Sequence, residues 1–320
     1  MKRVIDHSLL DLAKQNKNDE FYTLLPDIER ELIYYSDHFK GKTIFCNCDN
    51  PTTSNFFRYF VQNFQLLGLK KVVAACIGKP SCDLFSPFEP GFYYEYSGKQ
   101  KKIPTIDDVT FFQSDGDFRS IESIALLSKA DVVVTNPPFS LFRKFVTLLM
   151  SYNKKFLIIG NINAITYKEI FHLIQNNQVW MGVNMGRGIS GFKVPDHYEL
   201  YGQEVRVNEN GERIVSPNNC MWLTNLDIPL RHELIPLVRT YLGHEDEYPR
   251  FDNCDAINVD RTQNIPCDYE GLMGVPITFL HRFNPSQFEI VKFRKGDDGK
   301  DLRIDGKPTY FRILIKRVMS

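Results

Sequence analysis

An α/β fold built on a mostly parallel sheet, with helices on both faces, is what this sequence predicts. Three observations carry the prediction. Strand-like and helix-like runs alternate from Lys42 to Asn177. The strand-like runs are continuously apolar and rich in Val and Ile, the texture of strands covered on both faces. The helix-like runs bring apolar residues round at helical spacing.

In order, "KTIFCNC" (Lys42–Cys48) reads as the first strand. "SNFFRYFVQNFQLLG" sets Phe56, Phe57, Phe60, Val61 and Phe64 on one helical face and closes at Gly68. "KKVVAACI" (Lys70–Ile77) is the second strand, followed by a Pro-, Gly- and Tyr-rich stretch to Thr105 that reads as a loop or small hairpin. "VTFFQSD" (Val109–Asp115) is the third strand, "SIESIALLSKA" a helix, and "DVVVTN" the fourth strand. "FSLFRKFVTLLMSY" is a helix, "KKFLIIGN" the fifth strand, and "YKEIFHLIQNN" another helix. After about Val179 the chain turns glycine-rich, and Asn210-Gly211 marks a hairpin. "CMWLTNL" (Cys220–Leu226) is one more strand of the main sheet. The reading is a core over 1–178 and a hairpin- and loop-rich lobe over 179–320, with the strand at about 220–226 returning to the core.

Bulk properties exclude several classes. Of 320 residues, 43% are hydrophobic and 24% charged, as in soluble globular proteins. No apolar run reaches the roughly 18 residues of a membrane span. The charged N-terminus lacks a signal-peptide core, so a cytoplasmic location is expected. Seven Cys without repeated CxxC pairs point to reduced, mostly buried thiols. Cys46 and Cys48 share a face, but two ligands do not make a zinc site, and no metal is expected. A net charge of zero excludes a bulk polycation but not a local nucleic-acid surface.

Ligands of such sheets bind at the carboxyl ends of the strands. At the end of the fourth strand stands Asn136-Pro137-Pro138-Phe139. Asn offers a side-chain carbonyl, and prolines leave a backbone that presents only acceptors. Two converging acceptors suit an exocyclic amine such as adenine N6, and Phe139 suits a stacked ring. The alternative is a strand that simply stops at prolines.

Asn-Pro-Pro-Phe resembles the catalytic motif of S-adenosylmethionine-dependent amino-methyltransferases, in its adenine-N6 version. "KNDEFYT" (Lys17–Thr23) resembles their N-terminal element, which implies cofactor contacts from Phe21, Tyr22 and Thr23. By its residues alone the same stretch also reads as a helix cap. "CNCDNPTTSNFF" takes the place of the first cofactor loop. The resemblance implies that Asp49 accepts from the cofactor's ammonium, with Asn50 beside it and Ser54 and Asn55 starting the helix. The family's Gly-rich turn is missing there, and "AACIGK" lacks the usual acid for the ribose. "SDGDFRS" resembles the adenine pocket, with Asp117 accepting from the cofactor's amine and Phe118 packing on its ring; a turn begun by Asp115-Gly116 is the alternative.

From end to end the chain is similar to the EcoRI-type adenine-specific DNA methyltransferases, most clearly in "FCNCDNP", "TNPPFSLF", "NCMWLTNL" and "MGVPITFLHRFNPSQFEI". That resemblance implies a Rossmann-like class I methyltransferase core and a DNA-recognition lobe. It implies methyl transfer from S-adenosylmethionine to N6 of a flipped-out adenine in double-stranded DNA. The setting that the resemblance implies is restriction-modification or phage or plasmid protection. A monomer is expected, able to share its recognition site with a cognate restriction endonuclease. Arg187 and Lys193, on a glycine-rich loop, are DNA-contact candidates, with solvated charge as the alternative. An RNA or protein-glutamine methyltransferase and a non-catalytic cofactor- and DNA-binding regulator remain the competing functions.

Overall fold

The computed structural model describes residues 22–78, 88–194, 205–215 and 219–318. They fall into two compact units, Met1–Tyr167 with Gly182–Leu226, and Lys168–Met181 with Asp227–Ser320. The chain thus leaves the first unit and returns to it.

The first unit opens with strand β1 (Tyr22–Thr23) and helix α1 (Leu25–Leu32). Proline in the first turn, Asp27 near the N-terminus and Arg30 in the last turn match the helix's free N–H groups and dipole. Next come β2 (Thr43–Cys46), α2 (Asn55–Gln62), β3 (Lys71–Cys76), β4 (Phe92–Tyr96) and β5 (Thr110–Phe111). Then follow α3 (Ile121–Lys129), β6 (Val132–Thr135), α4 (Phe142–Ser151) and β7 (Lys155–Asn161). Ser54 caps α2 by accepting from the N–H groups of Phe56 and Phe57, so Ser54 and Asn55 do start this helix. It ends at Gln62, short of Gly68: the N–H of Leu69 turns back to the Phe64 carbonyl while Gly68 takes φ +58°.

Past Tyr167 the chain forms α5 (Lys168–Gln175), β8 (Trp180–Met185), β9 (Phe192–Lys193), β10 (Val205–Val207), β11 (Arg213–Val215) and β12 (Cys220–Thr224). The main sheet has eight strands in the order β5-β4-β3-β2-β6-β7-β12-β8. Its four middle strands β3, β2, β6 and β7 pair parallel. The expectation of a mostly parallel sheet holds for these alone. β4 runs antiparallel to β3, β5 antiparallel to β4, and β12 antiparallel to β7. The predicted third strand is cut to two residues because β4, from the stretch read as a loop or hairpin, takes the place beside β3. β12 brings Trp222, fully buried, edge-on to Phe56 at 5.9 Å.

A smaller sheet, β1-β9-β11-β10, sets Tyr22 opposite Lys193 and Thr23 opposite Phe192. The β10–β11 hairpin turns where Asn210-Gly211 predicted it, with Gly211 at φ +77° and the Asn208 side chain accepting two backbone N–H groups across the turn. α1 holds the glycine-rich segment that links β8 to β9. Buried Asp27 accepts from the N–H and hydroxyl of Ser190, Arg30 donates to the Gly188 carbonyl at 2.7 Å, and buried Glu31 accepts from Val183 and Asn184. Gly182 permits this approach, since a Cβ there would lie 2.3 Å from Glu31 Oε1.

The second unit is more regular than a loop-rich lobe. Besides α5 it holds β13 (Ala256–Asn258), β14 (Leu272–Pro276), β15 (Phe288–Phe293), β16 (Arg303–Ile304), β17 (Lys307–Pro308) and β18 (Arg312–Arg317). Four of these form a sheet ordered β13-β14-β18-β15, and β16 and β17 form a hairpin. The register of β15 slips between Ile290 and Lys292, and Gln175 Nε2 of α5 donates to the Val291 carbonyl there at 2.7 Å. Phe171 of the same helix packs on Phe293 at 5.0 Å.

Candidate functional site

β2 lies between β3 and β6, so the chain crosses to opposite sides of it and leaves a crevice beyond the strands' carboxyl ends. A cavity of about 560 Å³ occupies that position. Its wall draws on β1, the loop after β2, the start of α2, the ends of β3 and β6, and the segment before α3.

Tyr22 and Thr23 line it, and Asn55 Nδ2 holds β1 in place through the Thr23 carbonyl at 2.8 Å. Phe21 lies outside the described residues. Asp49 and Asn50 also line it. The Asn50 side chain accepts from the N–H and hydroxyl of Thr52, which builds the turn that glycine builds elsewhere. The Asp49 carboxylate accepts from Ser54 Oγ at 2.7 Å, from Thr135 Oγ1 at 2.5 Å and from the backbone N–H of Asn136. Burial nevertheless pushes its pKa up to about 6. Cys46 and Cys48 are held protonated by burial, and the Asp49 charge pushes both thiols further up, so neither offers a thiolate.

Asp117 and Phe118 stand on the same wall. Burial alone would raise the Asp117 carboxyl; the hydrogen bonds and charge of Arg119 outweigh it and hold the group below its ordinary value. Phe118 packs edge-on to Phe145 at 5.1 Å.

Asn136 and Pro138 line the cavity, whereas Pro137 and Phe139 do not. The Pro138 carbonyl accepts from Leu141 as the chain enters the 3-10 turn before α4. The Phe139 ring meets buried Phe192 edge-on, centroids 6.2 Å apart. Lys193 is ion-paired with Glu212 of the β10–β11 hairpin at 2.6 Å. Arg187 has its backbone in a short 3-10 turn, and its side chain lies outside the described residues.

The sequence reading missed Asn47, the first residue beyond β2. It is 4% exposed, it lines the cavity, and neither its Oδ1 nor its Nδ2 has a hydrogen-bond partner. Thr23 Oγ1, on the same wall, is buried without a partner too. Buried polar atoms left unpaired are costly and rare, and three of them stand on this one cavity wall. The signal was a lone polar residue at a strand's carboxyl end, hidden between two cysteines. Glu89 was missed as well: it lines the cavity from the far side of a stretch with no periodicity. Among the described residues no cluster of His, Cys, Asp and Glu forms a metal site, and no helix is long and apolar enough to cross a membrane.

A family model described as adenine-specific methyltransferase EcoRI matches residues 9–318. Type II methyltransferase M.EcoRI of Escherichia coli is 58% identical over 320 residues, 99% of this chain and 98% of its own. Type II methyltransferase M.MgeORF184P of Mycoplasma genitalium is 38% identical over 95% of this chain and 97% of its own. Type II methyltransferase M.MpnI of Mycoplasma pneumoniae is 36% identical with the same coverage of each chain. No solved structure matches.

Proposed function

The chain belongs to the EcoRI family of adenine-specific methyltransferases, and from that premise we propose that it moves a methyl group from S-adenosylmethionine to N6 of an adenine in double-stranded DNA, using the crevice beyond β2 and β6. It is an enzyme of the type II, site-specific DNA-methylating class. The observation that carries the cofactor assignment is the set of unpaired polar atoms on the cavity wall. The Asn47 amide presents a donor NH2 group and an acceptor carbonyl, the complement of an α-amino acid's carboxylate and ammonium, and the Thr23 hydroxyl adds either. Three carboxylates line the cavity. Glu89, whose backbone lies against Gly78 just past β3, is our choice for the ribose hydroxyls. Phe118 and Asp117 are assigned to the adenine end.

When bound, the cofactor supplies an electrophilic methyl group on a sulfonium. The chain's own contribution is to hold the acceptor. Adenine's amine is a weak nucleophile because its lone pair is delocalised into the ring. Asn136 Oδ1 and the Pro137 carbonyl each accept one of its N–H groups, which favours a pyramidal nitrogen with an available lone pair. Phe139, steadied by Phe192, stacks on the flipped base. Alignment and exclusion of water supply the rate, and the proton leaves to solvent.

We assign DNA recognition to the C-terminal part. From Lys292 to Arg317 it carries nine Lys and Arg against four Asp, in a chain of net charge zero. The protein would work in the cytoplasm as a monomer, with or without a cognate endonuclease.

The test is incubation of the purified protein with methyl-labelled S-adenosylmethionine and duplex DNA. Label recovered as N6-methyladenine is the expected result. Label only in RNA or protein would overturn the reading, and cofactor binding without transfer would favour a regulator. Asn47→Ala supplies an independent check. It is expected to weaken cofactor binding about tenfold, the worth of one to two hydrogen bonds. The unliganded protein should be no less stable, because the variant removes two unpaired buried atoms. Calorimetric titration and thermal unfolding measure the two effects; a loss of stability with unchanged affinity would remove Asn47 from the site.

A further inference from the structure

We propose that Asp49 is a positioning residue for the methyl-acceptor clamp: its carboxylate ties the loop after β2 to Thr135 and Asn136, and so fixes where Asn136 presents its side-chain carbonyl. The proposal rests on the N6-methylation reading above.

Parallel pairing of β2 with β6 sets Ile44 beside Val132 and Phe45 beside Val133. The residues just past the two strands therefore emerge side by side, with no further ladder to hold them. Asp49 replaces the ladder at that point. Its own N–H reaches the Ala75 carbonyl on β3 at 2.9 Å, which anchors the loop to the other neighbouring strand. Its carboxylate then takes the Thr135 hydroxyl at 2.5 Å and the Asn136 N–H. The Thr135 oxygen in turn accepts from the Cys48 N–H at 3.2 Å, which closes a ring between the two loops. The remaining bond, from Ser54 Oγ at 2.7 Å, joins this ring to the cap of α2. One residue thus links three strand ends and one helix start, its N–H reaching β3 and its carboxylate reaching β6 and α2.

Two features separate this role from that of a counter-ion for a bound ammonium. A carboxylate has about four lone-pair sites, and three hydrogen bonds from within the protein already occupy Asp49. The second feature is local. The Asn136 backbone is fixed by the bond to Asp49, and the next residue is Pro137, which has no N–H to offer. A shift of about 1 Å in a reacting group costs on the order of 100-fold in rate. A residue that sets the Asn136 backbone therefore acts on turnover rather than on cofactor affinity.

The experiment measures kcat on a duplex substrate and the S-adenosylmethionine Kd for the wild type, Asp49→Asn, Thr135→Val and Thr135→Ser. Asp49→Asn keeps the shape and loses one acceptor. Thr135→Val keeps the shape and loses the hydroxyl. Each is expected to lower kcat about 10- to 100-fold with Kd changed by less than about threefold. Thr135→Ser, which restores the hydroxyl, should recover most of the loss. The double variant should be no worse than the poorer single one, because both cut the same link. An Asp49→Asn variant that weakens cofactor binding tenfold or more at unchanged kcat would overturn the proposal in favour of a counter-ion. Thr135→Val with wild-type kcat would also overturn it, and decides the matter alone if Asp49→Asn does not fold. Unchanged variants beside an active wild type sink this inference only. A wild type that transfers no methyl group to DNA sinks the function reading, and this inference with it.

Discussion

Asn136→Ala is expected to lower methyl transfer to DNA by about 100- to 1,000-fold while the S-adenosylmethionine Kd stays within about threefold of wild type. The asymmetry follows from what Asn136 is proposed to touch. Its carbonyl is assigned to the target amine, and that bond would strengthen as positive charge develops on the nitrogen during transfer. Cofactor affinity is assigned to other residues, above all Asn47 and Thr23, whose unpaired atoms sit on the same cavity wall. Asn136→Asp keeps acceptor oxygens at the same place and should lose far less, on the order of tenfold. Single-turnover kinetics with a labelled methyl donor separate the step from product release. An alanine variant that methylates at the wild-type rate would remove Asn136 from the clamp. A variant with normal transfer at saturating cofactor but a much raised Kd would move it to the cofactor side.

The second large effect is expected on stability, at Glu31. This side chain is fully buried on α1 and accepts from the Tyr35 hydroxyl at 3.0 Å, from the N–H groups of Val183 at 2.8 Å and Asn184 at 2.7 Å, and from Asn184 Nδ2 at 2.9 Å. Glu31→Ala strands these donors in the interior at once. The expected loss is about 3–5 kcal/mol, with a fall in Tm on the order of 10 °C. Denaturant unfolding followed by the fluorescence of buried Trp222 reads it. Burial raises the Glu31 pKa above 4.5, more than its hydrogen bonds lower it. A carboxyl held more tightly protonated in the fold contributes most below its unfolded pKa and loses that contribution as pH rises through the folded value. Glu31→Gln has no such titration, so its deficit against wild type should narrow from pH 4 towards pH 8. A deficit that widens over that range would reverse the sign assigned here.

The parts of the molecule legible in its sequence are those decided locally. The Val132–Val134 run followed by Asn136-Pro137-Pro138 states both a buried strand and its end, and the structure places β6 and its exit there. Ser54 before an apolar helical face announces a cap, and it caps α2. Asn210-Gly211 announces a turn and makes one. Other features depend on partners far away in sequence. The sheet of the second unit went unread because its strands carry breaks that only neighbours repair: Gly274, where a Cβ would meet the Phe251 ring at 2.5 Å, and the bulge at Val291, whose carbonyl Gln175 takes. Likewise β4 gave no period-two signal, yet β3 on one side and β5 on the other make it a strand.

The sequence by itself determined the α/β alternation, the acceptor-only motif after the fourth strand and the family. Each is written in residues adjacent along the chain or in likeness along its length. Tertiary structure alone decided which strand ends meet. Parallel pairing of β2 with β6 brings residues 86 positions apart into hydrogen-bond contact, Thr135 with Asp49. That pairing turns Asp49 from an isolated acid in a glycine-free loop into the anchor of Asn136. It leaves Asn47, two residues earlier, as a polar side chain on the cavity wall without a partner. Hydrogen-bond satisfaction is a property of the assembled neighbourhood, and no reading of single segments contains it.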